Sequence, residues 1–149
     1  MFDHCRQKLS HLPNIELRQE SLLQTSLQDN SVDIVLVTQV LHHLDSDNKD
    51  ASIYSPQFPH LEKAIREIKR VLVPGGRAII NMTAPQQYKG YWYFNHAMNQ
   101  KVVERYYQIN ASLDFYKATF EKYGLGDYEQ HKVVEPLIKK EYYFDLEKI

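Results

Sequence analysis

The sequence contains little cysteine and little glycine, and it has no long apolar run. Of its 149 residues, one is cysteine and five are glycine. The single Cys5 cannot form an intrachain disulfide or a CxxC metal knuckle, which predicts a reducing compartment, the cytoplasm, and no zinc site. The longest apolar run, residues 34–37, is far shorter than the ~20 residues that cross a bilayer, and the N-terminus lacks a cationic, apolar signal.

The charge of the chain is nearly balanced. Lys and Arg number 18 and Asp and Glu number 19, giving a net charge of -1. This balance argues against nucleic-acid and anionic-membrane binding, because both need a basic surface to neutralise phosphates. With 43% hydrophobic and 25% charged residues, the composition is typical of one soluble globular domain, here over residues 1–149.

The positions of the glycines exclude two kinds of nucleotide site. The first glycine is Gly75, so residues 1–74 contain no Walker loop and no GxGxxG loop. Gly124 and Gly126 form a GxG pair, but no strand precedes it, and it is better interpreted as a helix end.

Hydrophobic periodicity predicts an α/β fold. Residues 32–37 are apolar on both faces, as in a central parallel strand covered by helices, and residues 61–72 form an amphipathic helix that Pro74-Gly75-Gly76 should end. The strand at 77–82 completes a strand–helix–strand unit, which predicts parallel neighbours. The remaining predicted elements are helices at 2–9, 98–109 and 113–120 and strands at 15–18, 128–134 and 141–146, the last two as a closing antiparallel pair.

Two stretches together resemble a known family. They are DNSVDIVLVTQVLHHLD at 29–45 and AIREIKRVLVPGGRAIINM at 64–82. Both are similar to the class I S-adenosylmethionine-dependent methyltransferases, and in particular to the type 11 branch, with its VLHHL-like turn followed by RVLxPGG. The resemblance covers residues 1 to about 82. It implies a Rossmann-like sheet with flanking helices, S-adenosylmethionine as cofactor and methyl transfer to a small-molecule acceptor.

The sequence also departs from that family. Members begin with a strand carrying a GxGxG loop and continue with a second strand ending in an acid, and neither is present here. We therefore expect an N-terminally truncated domain in which the strands at 15–18 and 32–37 each lose a neighbour. Because unpaired strand edges recruit partners, we expect either a closing-up of the sheet or self-association through the exposed edge.

The resemblance implies two sets of cofactor-binding residues. Glu20 or Ser21 would lie near the adenine amino group, whereas the alternative is a solvated acid and a turn residue. The residues after the fourth strand of the family would form the floor beneath the cofactor, mainly through their backbone: Thr38, Gln39, Val40 and Leu41.

The candidates for catalysis and for acceptor binding come next along the chain. His42 and His43 could accept a proton near neutral pH, although adjacent histidines point in different directions and one could simply pack. No pair of residues has zinc-ligand spacing. Aromatic residues follow the second strong strand, where the family builds its acceptor pocket, and core packing is the alternative for them: Tyr88, Tyr91, Trp92 and Tyr93.

Three hypotheses remain open from the sequence. The first is a methyltransferase acting on an unidentified acceptor atom. The second is a non-catalytic interaction module or pseudoenzyme partner derived from a methyltransferase. The third is a fragment with no function of its own.

Overall fold

The computed structural model describes residues 2–47, 57–82, 84–85, 99–134 and 140–148, and the statements below concern those residues. None of the helices found there is long and apolar enough to cross a membrane. The regular elements, in chain order, are helix α1 (Phe2–Leu9), strand β1 (Val32–Thr38), a 3-10 turn (Leu41–His43), helix α2 (Pro59–Val71), strand β2 (Leu72–Met82), helices α3 (Gln100–Ile109) and α4 (Leu113–Lys122), and strands β3 (Leu125–Val134) and β4 (Lys140–Lys148).

The four strands form one sheet in the order β1-β2-β4-β3. Strand β1 runs parallel to β2, with Ile34 opposite Arg77 and Thr38 opposite Asn81. Strand β4 runs antiparallel to both β2 and β3. The strand–helix–strand unit β1-α2-β2 therefore has the parallel arrangement that the sequence predicts.

The core lies between the sheet and helices α2 and α4. Helix α2 buries the face that carries Leu61, Ile65 and Ile68. Alternate residues of β2 are buried beneath it, because side chains of a strand point to opposite faces in turn. Helix α4 contributes Tyr116 and Phe120, both fully buried, so three elements share one apolar layer.

The turn from α2 into β2 differs from the sequence prediction. The helix ends at Val71, Leu72 is already extended, and Pro74, Gly75 and Gly76 lie within β2. A register irregularity between Val32 and Ile34 accommodates these residues opposite β1. A β-carbon on Gly76 would lie 2.9 Å from the Val73 carbonyl oxygen and 3.0 Å from that of Asp33, so this position needs glycine.

The strand predicted at residues 15–18 is not formed, and that prediction was wrong. These residues have no regular secondary structure, and no strand in the described sheet lies beside them. Alternating apolar residues make a strand only when a neighbour accepts their backbone hydrogen bonds. Helix α1 is present as predicted but buries none of its residues.

Strand β1 forms an open edge of the sheet. Its side chains Ile34 and Leu36 are 62% and 66% exposed, while Val37 on the opposite face is 5% exposed. The prediction that helices cover both faces of this strand was wrong for the described residues, because only the α2 side is packed. The sheet does not close up either, since β1 has β2 as its one strand neighbour there.

Candidate functional site

The carboxyl ends of β1 and β2 are joined by hydrogen bonds. Because the two strands are parallel, both ends lie at one edge of the sheet, where ligands bind in doubly wound folds. The Gln39 main-chain N–H donates to the Asn81 carbonyl oxygen at 2.8 Å, and Gln39 Nε2 donates to Asn81 Oδ1 at 2.5 Å. These two bonds fix the position of the residue that follows β1.

Gln39 has an unusual backbone conformation. Its φ of 54° lies in the left-handed region, which costs a non-glycine residue of the order of 1 kcal/mol. The bonds to Asn81 hold it there. This conformation changes the direction of the chain at the end of β1. Residues 38–41, which run from the end of the strand into the following turn, are called the ledge below.

The next two residues of the ledge differ in exposure. The Val40 side chain is 40% exposed, whereas that of Leu41 is 1% exposed and belongs to the core. Leu41 therefore anchors the 3-10 turn, and the His43 N–H donates to the Val40 carbonyl oxygen at 3.0 Å. Of the predicted floor residues, Thr38 and Val40 present side chains at the surface, while Leu41 can offer a ligand only its backbone.

His42 and His43 lie together in the 3-10 turn. Their ring centroids are 4.0 Å apart and the rings are tilted by 44°. His43 is exposed and His42 is half-buried. The pair directly follows residues 38–41 in the chain, and its catalytic role remains a prediction.

Asp45 attaches this turn to the N-terminus of helix α2. The Asp45 side chain is buried, its Oδ1 accepts from the His60 N–H at 3.1 Å, and its Oδ2 accepts from the Leu61 N–H at 2.9 Å. Phe58, the residue at the N-cap position, has no side-chain hydrogen bond to offer. Asp45 thus caps the helix from a distant loop. Burial, together with the negative charge of Asp45, also raises the pKa of Tyr116 above its ordinary range.

Glu20 and Ser21 lie in a tight loop before β1. The Glu20 carboxylate accepts from the Ser26 N–H at 2.8 Å and from its hydroxyl at 2.5 Å, and these bonds lower the pKa of Glu20. Ser21 Oγ accepts from the Leu23 N–H at 3.2 Å. A carboxylate has about four lone-pair positions, so Glu20 retains capacity for a further donor, such as an amino group.

The same loop is attached to α2 through Glu67. The Thr25 N–H and hydroxyl donate to Glu67 Oε1 at 2.8 and 2.7 Å, and Arg70 donates to both carboxylate oxygens. The bonds from Arg70, followed by those from Thr25, lower the pKa of Glu67 to about 2 despite its burial. The Asn30 N–H adds a bond to the Arg70 carbonyl oxygen at 2.9 Å. The loop therefore has a defined position on α2.

The structure brings only some of the predicted site residues together. Residues 38–43 share the edge at the strand ends, and Glu20 and Ser21 belong to the separate loop on α2. The predicted acceptor-binding residues lie outside the described residues: Tyr88, Tyr91, Trp92 and Tyr93. No group of three His, Cys, Asp or Glu residues that could hold a metal ion occurs in the described part of the chain.

Comparison with known proteins identifies the family. Residues 1–80 match the family described as "Methyltransferase domain". The chain belongs to this family. Its fold is that of the class I methyltransferases, and the resemblance seen in the sequence is confirmed. No curated protein matches this methyltransferase-family sequence significantly.

Several solved structures share the fold at low sequence identity. The PH0226 protein from Pyrococcus horikoshii OT3 aligns with a TM-score of 0.66 at 13% identity, over 99% of this chain and 66% of its own. PigF with SAH aligns with a TM-score of 0.64 at 17% identity, over 99% of this chain and 40% of its own. The [4+2]-cyclase SpnF aligns with a TM-score of 0.60 at 13% identity, over 98% of this chain and 60% of its own. The methyltransferase-family chain therefore spans about two thirds of these proteins or less.

The residues at the strand ends carry both polar and apolar groups. The ledge offers backbone groups, an exposed hydroxyl at Thr38 and an apolar surface at Val40, a combination suited to a ribose and a flat base. The glycine-rich loop that members of this family wrap around the methionine part has no counterpart in residues 1–74, which lack glycine.

Proposed function

We propose that this chain carries the C-terminal portion of an S-adenosylmethionine-dependent methyltransferase domain that acts on a small-molecule acceptor. The observation that supports this proposal most is the parallel pair β1-β2, whose carboxyl ends are joined by Gln39 and Asn81. The pair lies within or next to residues 1–80, which match the methyltransferase family, and doubly wound folds bind ligands at the carboxyl ends of such strands. The low-identity structural neighbours support the fold alone.

The cofactor would be held at two places. Residues Thr38, Gln39, Val40 and Leu41 would form its floor, largely through backbone groups, and Val40 would contact a ring face. Glu20 would accept a hydrogen bond from the adenine amino group, with Ser21 beside it. The hydrogen bonds of Glu20 to Ser26 and of Thr25 to Glu67 would keep that loop in position.

Methyl transfer needs little acid–base chemistry from the protein. When bound, the cofactor supplies a methyl group on a sulfonium, an electrophile that is already activated. The ledge would hold the cofactor so that the acceptor's lone pair forms the new bond in line with the breaking carbon–sulfur bond, whose electron pair stays on the sulfur. His42 or His43 would take up the proton that the acceptor loses. In this proposal the acceptor contacts Tyr88, Tyr91, Trp92 and Tyr93.

Isothermal titration of the purified chain with S-adenosylmethionine tests the proposal. We expect saturable binding that is weakened about tenfold or more in a Gln39→Gly variant, since glycine keeps the left-handed backbone but loses the side-chain bond to Asn81. The matched control is Gln100→Ala, whose side chain bonds Glu104 on α3. Absence of saturable heat at millimolar cofactor would refute the proposal.

A second candidate function is a non-catalytic interaction module derived from a methyltransferase. The observation that favours it is the exposed apolar surface of β1, with Ile34 and Leu36 more than half exposed. This candidate predicts association with another polypeptide without cofactor binding. Isothermal titration with S-adenosylmethionine, repeated on a complex of this chain with another polypeptide, distinguishes the two functions. Saturable binding supports the methyltransferase, and its absence supports the interaction module.

A further inference from the structure

His60 contacts a buried carboxylate at the start of helix α2. Its Nδ1 lies 3.1 Å from Asp45 Oδ1, and the Asp45 side chain is 2% exposed. The same oxygen accepts from the His60 main-chain N–H at 3.1 Å, while Oδ2 accepts from the Leu61 N–H at 2.9 Å. Two backbone groups thus hold the carboxylate, and the carboxylate in turn holds the imidazole ring.

This contact determines which nitrogen of the ring carries the proton. An ionised carboxylate offers only lone pairs. Two lone pairs 3.1 Å apart would repel each other, so Nδ1 carries the proton of the neutral ring and Nε2 keeps its lone pair. A carboxylate that selects the tautomer and the orientation of a histidine is the arrangement that supports a histidine base. The His60 side chain is exposed, so a ligand can reach its free nitrogen.

We propose that His60 is the proton-accepting residue of the candidate site, in place of His42 or His43, and that Asp45 is its positioning residue. This inference rests on the proposed function and names the base for it. When the lone pair of the acceptor forms the bond to the methyl carbon, the carbon–sulfur electron pair stays on the sulfur. The proton of the acceptor moves to His60 Nε2, which leaves a positive ring beside the Asp45 carboxylate.

The topology places His60 at the same edge of the sheet as the ledge. Strands β1 and β2 are parallel and α2 connects them, so the chain must cross back along the sheet and α2 must begin near the end of β1. The bond from the Leu61 N–H to Asp45 agrees with this, because Asp45 directly follows the turn that continues from the ledge. The contact involves only that turn and the first turn of α2.

The neighbouring titratable groups are less suited to this role. The His43 ring lies against that of His42, with the centroids 4.0 Å apart, and no carboxylate of the described residues forms an ion pair with His43. Tyr116 is fully buried, and burial, followed by the charge of Asp45, raises the pKa of Tyr116 above its ordinary range. Its hydroxyl therefore stays protonated near neutral pH and cannot accept a proton.

Reaction of the whole chain with diethyl pyrocarbonate tests the location of His60, because this reagent acylates imidazole nitrogens that have a free lone pair. Peptide mass spectrometry follows each histidine with and without S-adenosylhomocysteine. At about four times its dissociation constant, this ligand should slow the acylation of His60 about fivefold, since about one fifth of the sites stay empty. The matched control is the exposed His11, whose acylation should not change.

The nitrogen chemical shifts of the imidazole ring test the role of Asp45. A long-range 1H–15N spectrum distinguishes protonated from unprotonated ring nitrogens, and we expect a protonated Nδ1 and an unprotonated Nε2 in neutral His60. The variant Asp45→Asn should populate both tautomers, whereas Asp47→Asn, at an exposed neighbour, should leave the spectrum of the parent. Circular dichroism checks that each variant folds, and the parent spectrum alone decides the tautomer if Asp45→Asn does not.

Three results would overturn the proposal. They are binding of S-adenosylhomocysteine without protection of His60, protection of His42 or His43 in its place, and an unprotonated Nδ1 in neutral His60. Each leaves the proposed function intact, because calorimetry measures binding of the ligand separately. Absence of binding would refute the proposed function and this inference together.

Discussion

Two buried carboxylates, Asp45 and Glu67, attach loops to helix α2 and thereby shape the candidate site. Asp45 accepts from the Leu61 N–H sixteen residues away, and Glu67 accepts from Thr25 forty-two residues away. Sequence periodicity could not identify either role, because such contacts depend on the fold and not on local spacing. One signal was present: the Phe58-Pro59 start of α2 lacks a capping side chain, so an external cap was needed.

Replacing Asp45 should destabilise the chain. The variant Asp45→Ala leaves the N–H groups of His60 and Leu61 without their acceptor, and we expect a loss of about 1 to 2 kcal/mol in the free energy of unfolding. Urea unfolding followed by circular dichroism measures this loss. Asp47→Ala, an exposed neighbour in the same loop, should change stability by less than about 0.5 kcal/mol. Equal effects of the two variants would contradict the capping role.

Glu67 should make stability depend on pH in the acid range. Its pKa is lowered from 4.5 to about 2 in the folded chain, so its contribution is complete above about pH 4.5 and is lost as the pH falls toward 2. The contribution is of the order of 2 kcal/mol, allowing for solvent around the Arg70 side chain, which is 33% exposed. The stability difference between the parent and Glu67→Gln should therefore narrow over that range. A difference that stays constant would show that Glu67 is not ionised in this network.

At the scale of elements, the sequence correctly predicts the helices and strands whose apolar residues follow a clear period. β1, α2 and the second half of β2 match their predicted positions, because each has a strong apolar face that finds a partner. The strand predicted at residues 15–18 is not formed, because no strand of the described sheet lies beside these residues. The early start of β2 was not predicted, since Pro74-Gly75-Gly76 usually ends an element and here forms an irregularity inside a strand.

The irregularity in β2 gives a prediction about its two glycines. Gly76→Ala brings a β-carbon against the Val73 and Asp33 carbonyl oxygens, and we expect a loss of about 1 to 3 kcal/mol in unfolding free energy. Gly75 has φ 77° and no atom near its virtual β-carbon. Gly75→Asn should therefore cost about 1 kcal/mol or less, since asparagine tolerates that conformation. Thermal unfolding measures the loss of unfolding free energy in both variants. A larger loss for Gly75→Asn than for Gly76→Ala would contradict the described geometry of β2.

At the scale of the whole molecule, the methyltransferase family and the α/β fold could be predicted from the sequence. The exposure of the outer face of β1 and the identity of the acceptor could not. The motifs at 29–45 and 64–82 identify the fold because they encode β1, the following turn, α2 and β2. They contain no information about what covers the outer face of β1, and the exposures of Ile34 and Leu36 come from the structure alone. The acceptor stays unidentified because its predicted contacts, such as Tyr91 and Trp92, lie outside the described residues.

Amide chemical shifts of the 15N-labelled chain, titrated with S-adenosylhomocysteine, test most directly whether the strand ends bind the cofactor. We predict saturable shifts concentrated at Thr38, Gln39, Val40 and Leu41 and in the loop of Glu20 and Ser21, with the outer face of α2 unchanged. Saturable shifts elsewhere, or none at millimolar ligand, would contradict the assignment of this edge as the cofactor site.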